Sequence, residues 1–236
     1  MLSFIVPAYN EEHELPGALR AISSAAAAAG ESYEIIVVDD DSNDATAEIA
    51  AAAGARVIHV HLRQIAAVRN AGAREAKGDV FFFVDADTRI SPVHVTAGLE
   101  ALARGFSGGS ARLALDGEVP FWARLFLRVF CVIYFAANLG VGAFMFMRRD
   151  SFEKAGGFDE QYFAGEEMYL TIALKKLGRF RILNEPITTS ARKVRMHSGA
   201  HVLRQWAGMM IGGKRALRTR ERLGLWYDGK REQRAR

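Results

Sequence analysis

Cysteine is almost absent from the sequence, which contains only Cys131 among its 236 residues. A single cysteine excludes a disulfide framework, and its apolar neighbours indicate that the thiol fills part of the core. The first six residues contain neither a basic region nor a cleavage site, so no signal peptide is predicted. We therefore expect a cytoplasmic protein, either free or bound peripherally at the inner face of the membrane.

Two glycine-rich phosphate-binding loops are also missing. No Gly-x-Gly-x-x-Gly follows the first predicted strand, and no Gly-Lys-Ser or Gly-Lys-Thr loop occurs. These absences exclude a dinucleotide oxidoreductase that holds pyrophosphate on its first helix, and they exclude a P-loop enzyme. A nucleotide would have to be bound by other groups.

The residues present are those of an ordinary globular protein. Half of them are apolar and a quarter are charged, which is enough to build a sizeable core. Strands and helices alternate in the first half of the chain, in the order strand 2–6, helix 10–30, strand 34–38, helix 46–53, strand 56–60, helix 65–76 and strand 80–84. Pro7 is predicted to end the first strand, and Asn10 to cap the first helix. The alternation favours a single α/β domain with a parallel sheet and right-handed crossovers.

The second half contains an uncharged stretch from Val129 to Met147. Its length reaches the roughly 18 residues of a membrane span, but Asn138 and Gly140 interrupt it. We predict instead a helix over 120–137, a loop over 138–142 and a strand over 143–147. The other elements predicted for this half are strand 111–115, helices 149–155 and 168–177, strand 181–183 and a final helix over 200–222.

Three predicted strands end in acidic or polar residues. The apolar strand 80–84 is typical of a strand buried on both faces, and Asp85 and Asp87 follow it. Polar residues 9–11 follow the first strand, and the aspartates 39–41 follow the second. Because ligands of open α/β sheets bind beyond the carboxyl ends of the strands, these side chains are expected to meet at one edge. Their repulsion indicates a site for a divalent cation or a hydrogen-bond donor, with a helix cap as the alternative for Asp85 and Asp87.

Several short motifs carry a resemblance to a known family. They are IVPAYNE at 5–11, VVDDDSNDAT at 37–46, RNAG at 69–72, VDAD at 84–87, Arg148-Arg149, GGFDE at 156–160 and GEE at 165–167. In this order they resemble family 2 glycosyltransferases of the GT-A fold, over residues 2 to about 185. The resemblance implies a Rossmann-like, mostly parallel sheet flanked by helices, with a C-terminal helical extension. It also implies a hexosyltransferase-type enzyme that transfers a sugar from a UDP- or GDP-sugar with inversion, using Mg2+ or Mn2+.

The resemblance assigns roles to residues by their position in these motifs. The positions that match nucleotide-binding residues of the family are Pro7, Tyr9, Glu11, Asp39, Asp40, Arg69, Asp85, Ala86 and Asp87. Asp85 and Asp87 match the residues that hold ribose and metal, with Asp87 the favoured metal ligand. His197 is a further candidate metal ligand and His201 the second choice, the alternative being a surface histidine. Glu167 matches the catalytic base, and Glu166 precedes it.

The sequence departs from the family pattern in two places. Asp41 stands where the family usually has glycine, so that turn is either strained or built differently. Glu167 stands where the base is usually an aspartate, and its longer side chain can still accept the proton of an acceptor hydroxyl. Repulsion between Glu166 and Glu167 is expected to raise the pKa of one of them. The alternative is that both carboxylates only stabilise the N-terminus of the helix that follows.

Two stretches indicate contact with a membrane. Aromatic residues of the helix 120–137 could form an apolar face in the membrane interface, with Arg124 and Arg128 at the head groups, or could pack in the core. The aromatic residues considered are Phe121, Trp122, Phe126, Phe130 and Phe135. From Lys214 to Arg236 there are nine Lys or Arg and three acidic residues, which would suit anionic lipid or remain solvated. Nucleic acid is not expected as a partner.

The predicted organisation is a GT-A domain over 1–199, followed by a basic helix and tail over 200–236. The partners are a nucleotide-diphosphate sugar and an acceptor that is lipid-linked or a cell-envelope polysaccharide precursor. A non-catalytic protein that binds nucleotide sugars is the alternative, because the base position has changed. Nucleotidyl transfer would need a glycine-rich, basic motif near the first strand, which the sequence lacks.

Overall fold

The computed structural model describes residues 1–117, 119–196 and 198–224. The strands of this part of the chain are β1 (Leu2–Ala8), β2 (Tyr33–Asp39), β3 (Arg56–His59), β4 (Val80–Val84), β5 (Thr88–Arg89), β6 (Gly108–Leu115), β7 (Phe144–Arg148) and β8 (Phe180–Thr189). The helices are α1 (Leu15–Ala28), α2 (Thr46–Ala52), α3 (Ile65–Glu75), α4 (Pro92–Ala103), α5 (Phe121–Ala136), α6 (Arg149–Ala155), α7 (Glu166–Leu177), α8 (Arg192–Met196) and α9 (Gly199–Leu217), followed by a 3-10 turn at Arg220–Arg222.

All the strands join one sheet in the order β3-β2-β1-β4-β7-β6-β8-β5. Strands β1 to β4 pair in parallel, as do β6 and β8. Strand β7 runs antiparallel between β4 and β6, and β5 runs antiparallel to β8. This mixed, mostly parallel sheet with flanking helices confirms the predicted α/β fold class.

Strand β4 supplies side chains to two separate cores, one on each face of the sheet. Phe82 packs with Leu19 and the other buried side chains of the face that α1 and α4 cover. Phe81 and Phe83 point the opposite way and pack with residues of α3, α6 and α7, including Phe152. All three phenylalanines are at most 1% exposed, as predicted for a strand buried on both faces. Truncating such a side chain to alanine typically costs about 3–5 kcal/mol.

Two predictions at the start of the chain are wrong. Pro7 does not end β1, and it stays in register with Val38 of β2. Strand β4 pairs with β1 only as far as Ile5, so Pro7 lies where that ladder has already ended and its missing N–H is tolerated. Asn10 does not cap α1, whose N-cap is Glu14.

Residues 9–14 instead form a loop that is bound to the segment after β2. Asn10 has a positive φ of 53°, and its side-chain oxygen accepts a hydrogen bond from the backbone N–H of Asn43 at 2.9 Å. The backbone N–H of Glu11 donates to Thr46 Oγ1 at 2.8 Å. These bonds hold the ends of β1 and β2 together, at the edge where the sequence predicted a site.

The second half follows the prediction more closely. The stretch 120–148 forms α5, a loop and β7, with no continuous helix through it. Strand β8 is longer than predicted, because a register shift next to Ala111 lets it continue beside β6 as far as Thr189. Helix α9 contains a break at Gly213, whose φ is 51°. Within the described residues, none of the helices combines the length and apolar character needed to cross a membrane.

Candidate active site

The carboxyl ends of β1, β2 and β4 open into a cavity of 1290 Å³. One side of the cavity is polar and includes Glu11, Asp40, Arg69, Asp85, Asp87, Glu166 and Arg192. The predicted site residues Pro7, Tyr9, Ala86 and Glu167 also line the cavity. The structure therefore brings most of the predicted site residues together. Asp39 does not line the cavity, His201 does not either, and the prediction for His197 lies outside the described residues.

Arg69 is the buried centre of this polar side. It projects from α3, is 2% exposed, and its guanidinium donates to Glu166 at 2.5 Å and to Asp85 at 2.7 Å. A third bond reaches the carbonyl oxygen of Gly142 at 3.0 Å. Burial alone would lower the pKa of Arg69, but the charges of Asp85 and Glu166 outweigh it and raise that pKa.

Arg192 makes a second buried ion cluster, opposite Arg69. Its guanidinium forms a bidentate pair with both carboxylate oxygens of Glu11 and lies 3.2 Å from Asp87 Oδ2. Thr189 donates a hydrogen bond to the other oxygen of Asp87 at 3.2 Å. Each aspartate of the Asp-x-Asp motif therefore has a buried arginine as its partner.

Glu167 follows Glu166 at the start of α7 and lies half-buried in the cavity wall. Burial and the adjacent charge of Glu166 raise the pKa of Glu167 to about 8, the direction predicted for one member of this pair. Tyr134 of α5 lies beside it, and burial together with the charge of Glu167 raises the pKa of the Tyr134 hydroxyl. The Tyr134 hydroxyl donates to the carbonyl oxygen of Gly140 at 2.9 Å.

The aspartates after β2 have three different surroundings. Asp39 is 4% exposed; its Oδ2 lies 3.2 Å from His59 Nδ1, and no hydrogen-bond partner for its Oδ1 is found among the described residues. Asp40 Oδ1 accepts hydrogen bonds from the backbone N–H groups of Leu62 and Arg63 at 2.7 and 3.1 Å. Asp40 therefore orders the loop after β3. A buried acceptor without a donor is costly, so Asp39 Oδ1 is suited to an N–H or O–H of a ligand.

Asp41 adopts the left-handed backbone conformation that glycine usually supplies. Its φ is 63°, and its carboxylate lies 2.9 Å from His61 and 2.9 Å from Arg63. Hydrogen bonds from Arg63 and His61 lower the pKa of Asp41. Aspartate is one of the residues that tolerate this conformation, so the turn keeps the left-handed geometry without glycine. Arg63 then stacks over the ring of Tyr9, 4.1 Å from its centroid.

The other side of the cavity is apolar. It is formed by residues of α5, of the loop before β7, of the loop before α7, of α7 itself and of α9. These residues are Val129, Phe130, Ile133, Ala137, Leu139, Phe163, Met168, Ala207, Met209 and Leu217. A polar, charged half and an apolar half therefore face each other across one cavity, with Glu167 and Tyr134 between them.

Comparison with known proteins identifies the family. The sequence model described as glycosyl transferase family 2 matches residues 3–156. The chain belongs to glycosyl transferase family 2. A curated relative is the undecaprenyl-phosphate 4-deoxy-4-formamido-L-arabinose transferase of Aeromonas hydrophila, 34% identical over 114 residues. That match covers 45% of this chain and 35% of the relative, so this glycosyltransferase spans about a third of the relative's length.

Solved structures show the GT-A fold. S. aureus TarS 1-349 with UDP-GlcNAc has a TM-score of 0.64 at 19% identity, covering 81% of this chain and 58% of that one. The mannosyltransferase PcManGT of Pyrobaculum calidifontis, with GDP-Man and Mn2+, has a TM-score of 0.64 at 19% identity, with coverages of 90% and 62%. The glucosyl-3-phosphoglycerate synthase of Mycobacterium tuberculosis, with Mn2+ and UDP, has a TM-score of 0.60 at 20% identity, with coverages of 90% and 77%.

The charges at the rim of this glycosyltransferase fit a divalent metal held jointly with a substrate. The described residues contain no group of three or more His, Cys, Asp and Glu side chains arranged to hold a metal. Four carboxylates (Glu11, Asp85, Asp87, Glu166) lie within ion-pair distance of two guanidinium groups, those of Arg69 and Arg192. Mg2+ is usually bound by one or two carboxylates together with substrate phosphates, and Asp85 and Asp87 can provide that set.

Sequence reasoning missed two features of this site. Tyr134 was one of several aromatic residues in an apolar stretch, and nothing local to it indicated that it faces Glu167. The pairing of Glu11 with Arg192 joins residues 181 positions apart, which no local pattern could indicate. Glu11 matches a nucleotide-binding position of the family, and in the structure both of its carboxylate oxygens contact Arg192.

Proposed function

We propose that this glycosyltransferase moves a sugar from a UDP- or GDP-sugar to the hydroxyl of a lipid-linked acceptor, with inversion at the anomeric carbon. The observation that carries the proposal is the position of Glu167, whose pKa is raised to about 8, between the acidic rim and the apolar half of the cavity. A base with a pKa near the working pH is suited to take a proton from an alcohol during attack. Asp85 and Asp87 mark the side from which the diphosphate would leave.

In this mechanism Glu167 accepts the acceptor's hydroxyl proton as that oxygen forms its bond to the anomeric carbon. The bond from that carbon to the diphosphate oxygen breaks, and its electron pair leaves with the diphosphate on the opposite face, which inverts the configuration. When bound, Mg2+ or Mn2+ stabilises the negative charge on the leaving diphosphate as a Lewis acid. Asp87, with Asp85, would hold that ion, and His197 stays a candidate ligand.

The nucleotide is proposed to lie along the ends of β1 and β2. Tyr9 offers a ring and Pro7 an apolar surface beside it, both in the cavity wall. Asp39 does not line the cavity, and its buried Oδ1 is proposed as an acceptor for a donor on the base or ribose that enters beside Asp40. The structural relatives solved with UDP-GlcNAc, with GDP-Man and with UDP support a nucleotide donor, and the choice between uridine and guanosine is left to experiment.

The apolar half of the cavity supports a lipid-linked acceptor. A sugar or a polysaccharide precursor would find few hydrogen-bond partners among Val129, Ile133, Met168 and Met209. An apolar chain would instead bury surface there, at roughly 25 cal/mol per Å². The curated relative is named for a lipid phosphate, undecaprenyl-phosphate, which supports the same class of acceptor.

The test is a calorimetric titration with UDP and with GDP, each with and without Mn2+. We expect the wild type to bind one of the two nucleotides more tightly when Mn2+ is present, because the metal joins the rim carboxylates to the diphosphate. Asp87→Asn should lose this metal-dependent gain. Asp150→Asn is the matched control, since the side-chain partners of Asp150 among the described residues, Ser151 and Lys154, belong to its own helix.

Two outcomes would contradict the proposal. If the protein binds neither UDP nor GDP, with or without Mn2+, then a UDP- or GDP-sugar is not its donor. Metal-dependent binding without any release of nucleotide from a UDP- or GDP-sugar would leave the non-catalytic binding protein as the better description. We also propose that the chain divides into a domain over 1–199 and a C-terminal helix and tail over 200–236.

A further inference from the structure

Helix α5 presents an apolar stripe to solvent. The exposed fractions are 78% for Phe121, 54% for Leu125, 53% for Val129, 65% for Val132 and 67% for Ile133. Their spacing of three and four residues places them on one face of the helix. None of these side chains can form a hydrogen bond, so the stripe is suited to an apolar partner.

The stripe differs from the face that the sequence indicated. Among those aromatic residues whose side chains the structure describes, Phe121 is exposed, whereas Trp122, Phe130 and Phe135 are half-buried against the protein. Trp122 packs next to Gly199 at the start of α9. Aliphatic residues therefore take the place of the expected aromatic ones.

Two arginines border the stripe on one side. Arg124 and Arg128 are exposed, one helical turn apart, and both lie next to Phe121 and Leu125 on the helix surface. The chain as a whole carries a formal net charge of +4. An apolar helix face with arginines along its edge is the pattern of helices that lie in a membrane interface, where the cations meet anionic head groups.

The stripe is continuous with the cavity. Val129 and Ile133 are more than half exposed, and both also line the apolar half of the cavity. A second protein seated on the stripe would cover this opening, whereas a bilayer would supply a lipid acceptor through it. The delivery of a lipid acceptor through this opening rests on the proposed function, whereas the exposure and charge of α5 are independent of it.

We propose that the outer face of α5 docks on an anionic lipid bilayer, with Leu125, Val129, Val132 and Ile133 among the acyl chains. Arg124 and Arg128 contact the lipid phosphates. The cavity then opens toward the membrane, and an acceptor lipid reaches Glu167 without leaving the bilayer completely.

The experiment is co-sedimentation of the full chain with vesicles of phosphatidylcholine, with and without phosphatidylglycerol. We expect the wild type to bind the vesicles that contain phosphatidylglycerol. Leu125→Ser combined with Val132→Ser should lower the partition coefficient about tenfold, because two partly buried aliphatic side chains are lost from the acyl region. Arg124→Gln and Arg128→Gln should each lower it about fivefold, and only with phosphatidylglycerol present.

The matched control combines Val93→Ser with Ile172→Ser, two apolar residues that are 56% and 42% exposed on other helices. This control should bind vesicles like the wild type. The proposal is overturned if the wild type does not bind, or if the α5 variant and the control bind equally. It is also overturned if light scattering shows a dimer that the α5 variant alone dissociates.

Nucleotide titration of the α5 variant separates this proposal from the transfer reaction. Unchanged nucleotide binding with lost vesicle binding supports docking through α5. If the protein binds vesicles through α5 but binds neither UDP nor GDP, the docking proposal is supported and the proposed function is contradicted.

Discussion

Single residues decide how the two neighbouring glutamates differ. Glu166 is paired with Arg69 and 4% exposed, whereas Glu167 lies beside the Tyr134 hydroxyl in a wall that is apolar on one side. Arg69 therefore stabilises the charge of one carboxylate and leaves the other in surroundings that favour the protonated form. This asymmetry suits Glu166 to holding Arg69 in place and Glu167 to the proton transfer that we propose.

Glu167→Gln tests the assignment of the base. The amide cannot accept the proton, so kcat should fall by about 10²–10⁴, with little change in nucleotide affinity. Glu153→Gln on α6 is the control, because that side chain is exposed and away from the cavity. A Gln variant that keeps wild-type turnover would rule out Glu167 as the base.

The same residue should govern the dependence on pH. In the free enzyme kcat/KM should rise with pH and level off above about 8, as Glu167 ionises.

The stability of the protein should depend on pH in the opposite direction, and should fall as Glu167 ionises. A pKa raised from 4.5 to about 8 stabilises the fold fully below 4.5, and this contribution is lost as pH rises through 8. Urea unfolding of Glu167→Gln should therefore match the wild type near pH 4.5 and exceed it at pH 9, by an amount on the order of a few kcal/mol.

Arg69→Met should destabilise the protein by about 3–5 kcal/mol, since it leaves Asp85 and Glu166 without their cation. Arg74→Met, on the same helix but exposed, should change stability by less than about 0.5 kcal/mol. Urea unfolding measures both. If Glu166→Gln in the Arg69→Met background recovers none of the loss, the buried pair is not its cause.

The sequence predicted which residues line the cavity better than it predicted what each side chain contacts there. Asp85, Asp87, Arg69 and Glu167 do line one cavity, because each follows or faces a strand end whose position the α/β pattern determines. Asp40 illustrates the limit, since its carboxylate accepts from the backbone of residues 62 and 63. Such bonds depend on where two loops meet in space, which one sequence does not specify.

The loop between α5 and β7, in the second half of the chain, links the polar side of the cavity to its apolar side. The loop between α5 and β7 passes so close to Arg69 that a Cβ on Gly142 would lie 3.0 Å from its Nη2. The glycine therefore permits the bond from Arg69 to the Gly142 carbonyl oxygen. In this way the loop connects the acidic rim to the helix that carries Tyr134.

Gly142→Ala should destabilise the protein by about 1–3 kcal/mol through this crowding. Gly208→Ala is the control, because α9 leaves open space around Gly208 and alanine favours a helix by about 0.4–1 kcal/mol. Thermal unfolding of the two variants should therefore shift in opposite directions. A neutral Gly142→Ala would show that the loop does not need its close approach to Arg69.

The element boundaries show which local rules were overridden. Helix α6 and strand β4 match their predicted bounds, since glycines or aspartates end them and their apolar pattern is clear. The first helix begins at Leu15 and not near Asn10, because the intervening loop gains hydrogen bonds to Ser42 and Thr46. Those partners are distant in sequence, so the capping rule alone gave the wrong start.

For the whole molecule, α9 completes the cavity from outside the sheet. Its end is held where Phe163 N–H donates to the Leu217 carbonyl oxygen at 2.8 Å and Arg218 donates to the Tyr162 hydroxyl at 3.1 Å. Met209 and Leu217 thereby form part of the wall opposite the acidic rim. The acidic rim of the cavity, where we propose that the nucleotide binds, is built from residues before 193.

A chain that ends at Gly199 tests whether the first 199 residues bind the nucleotide without α9. Its affinity for the nucleotide that the wild type prefers should stay within about 0.5 kcal/mol of the wild type, because distant sites act independently. Release of nucleotide from the donor sugar to water should increase, since one wall that excludes water is gone. Titration and a hydrolysis assay without acceptor measure the two effects. Loss of nucleotide binding would show that 1–199 is not a separate domain.

The antiparallel position of β7 has a consequence for synthesis on the ribosome. Strands β1 to β4 are complete by Val84, but the partner of β4 on its other edge begins only at Phe144. At roughly 5–20 residues per second, translation needs about 3–12 s to supply those 60 residues. Throughout that interval the nascent chain presents an unpaired strand edge that contains Phe81, Phe82 and Phe83, a template for pairing with other chains. We therefore expect chaperone binding to the emerging chain to matter most between the completion of β4 and the arrival of β7.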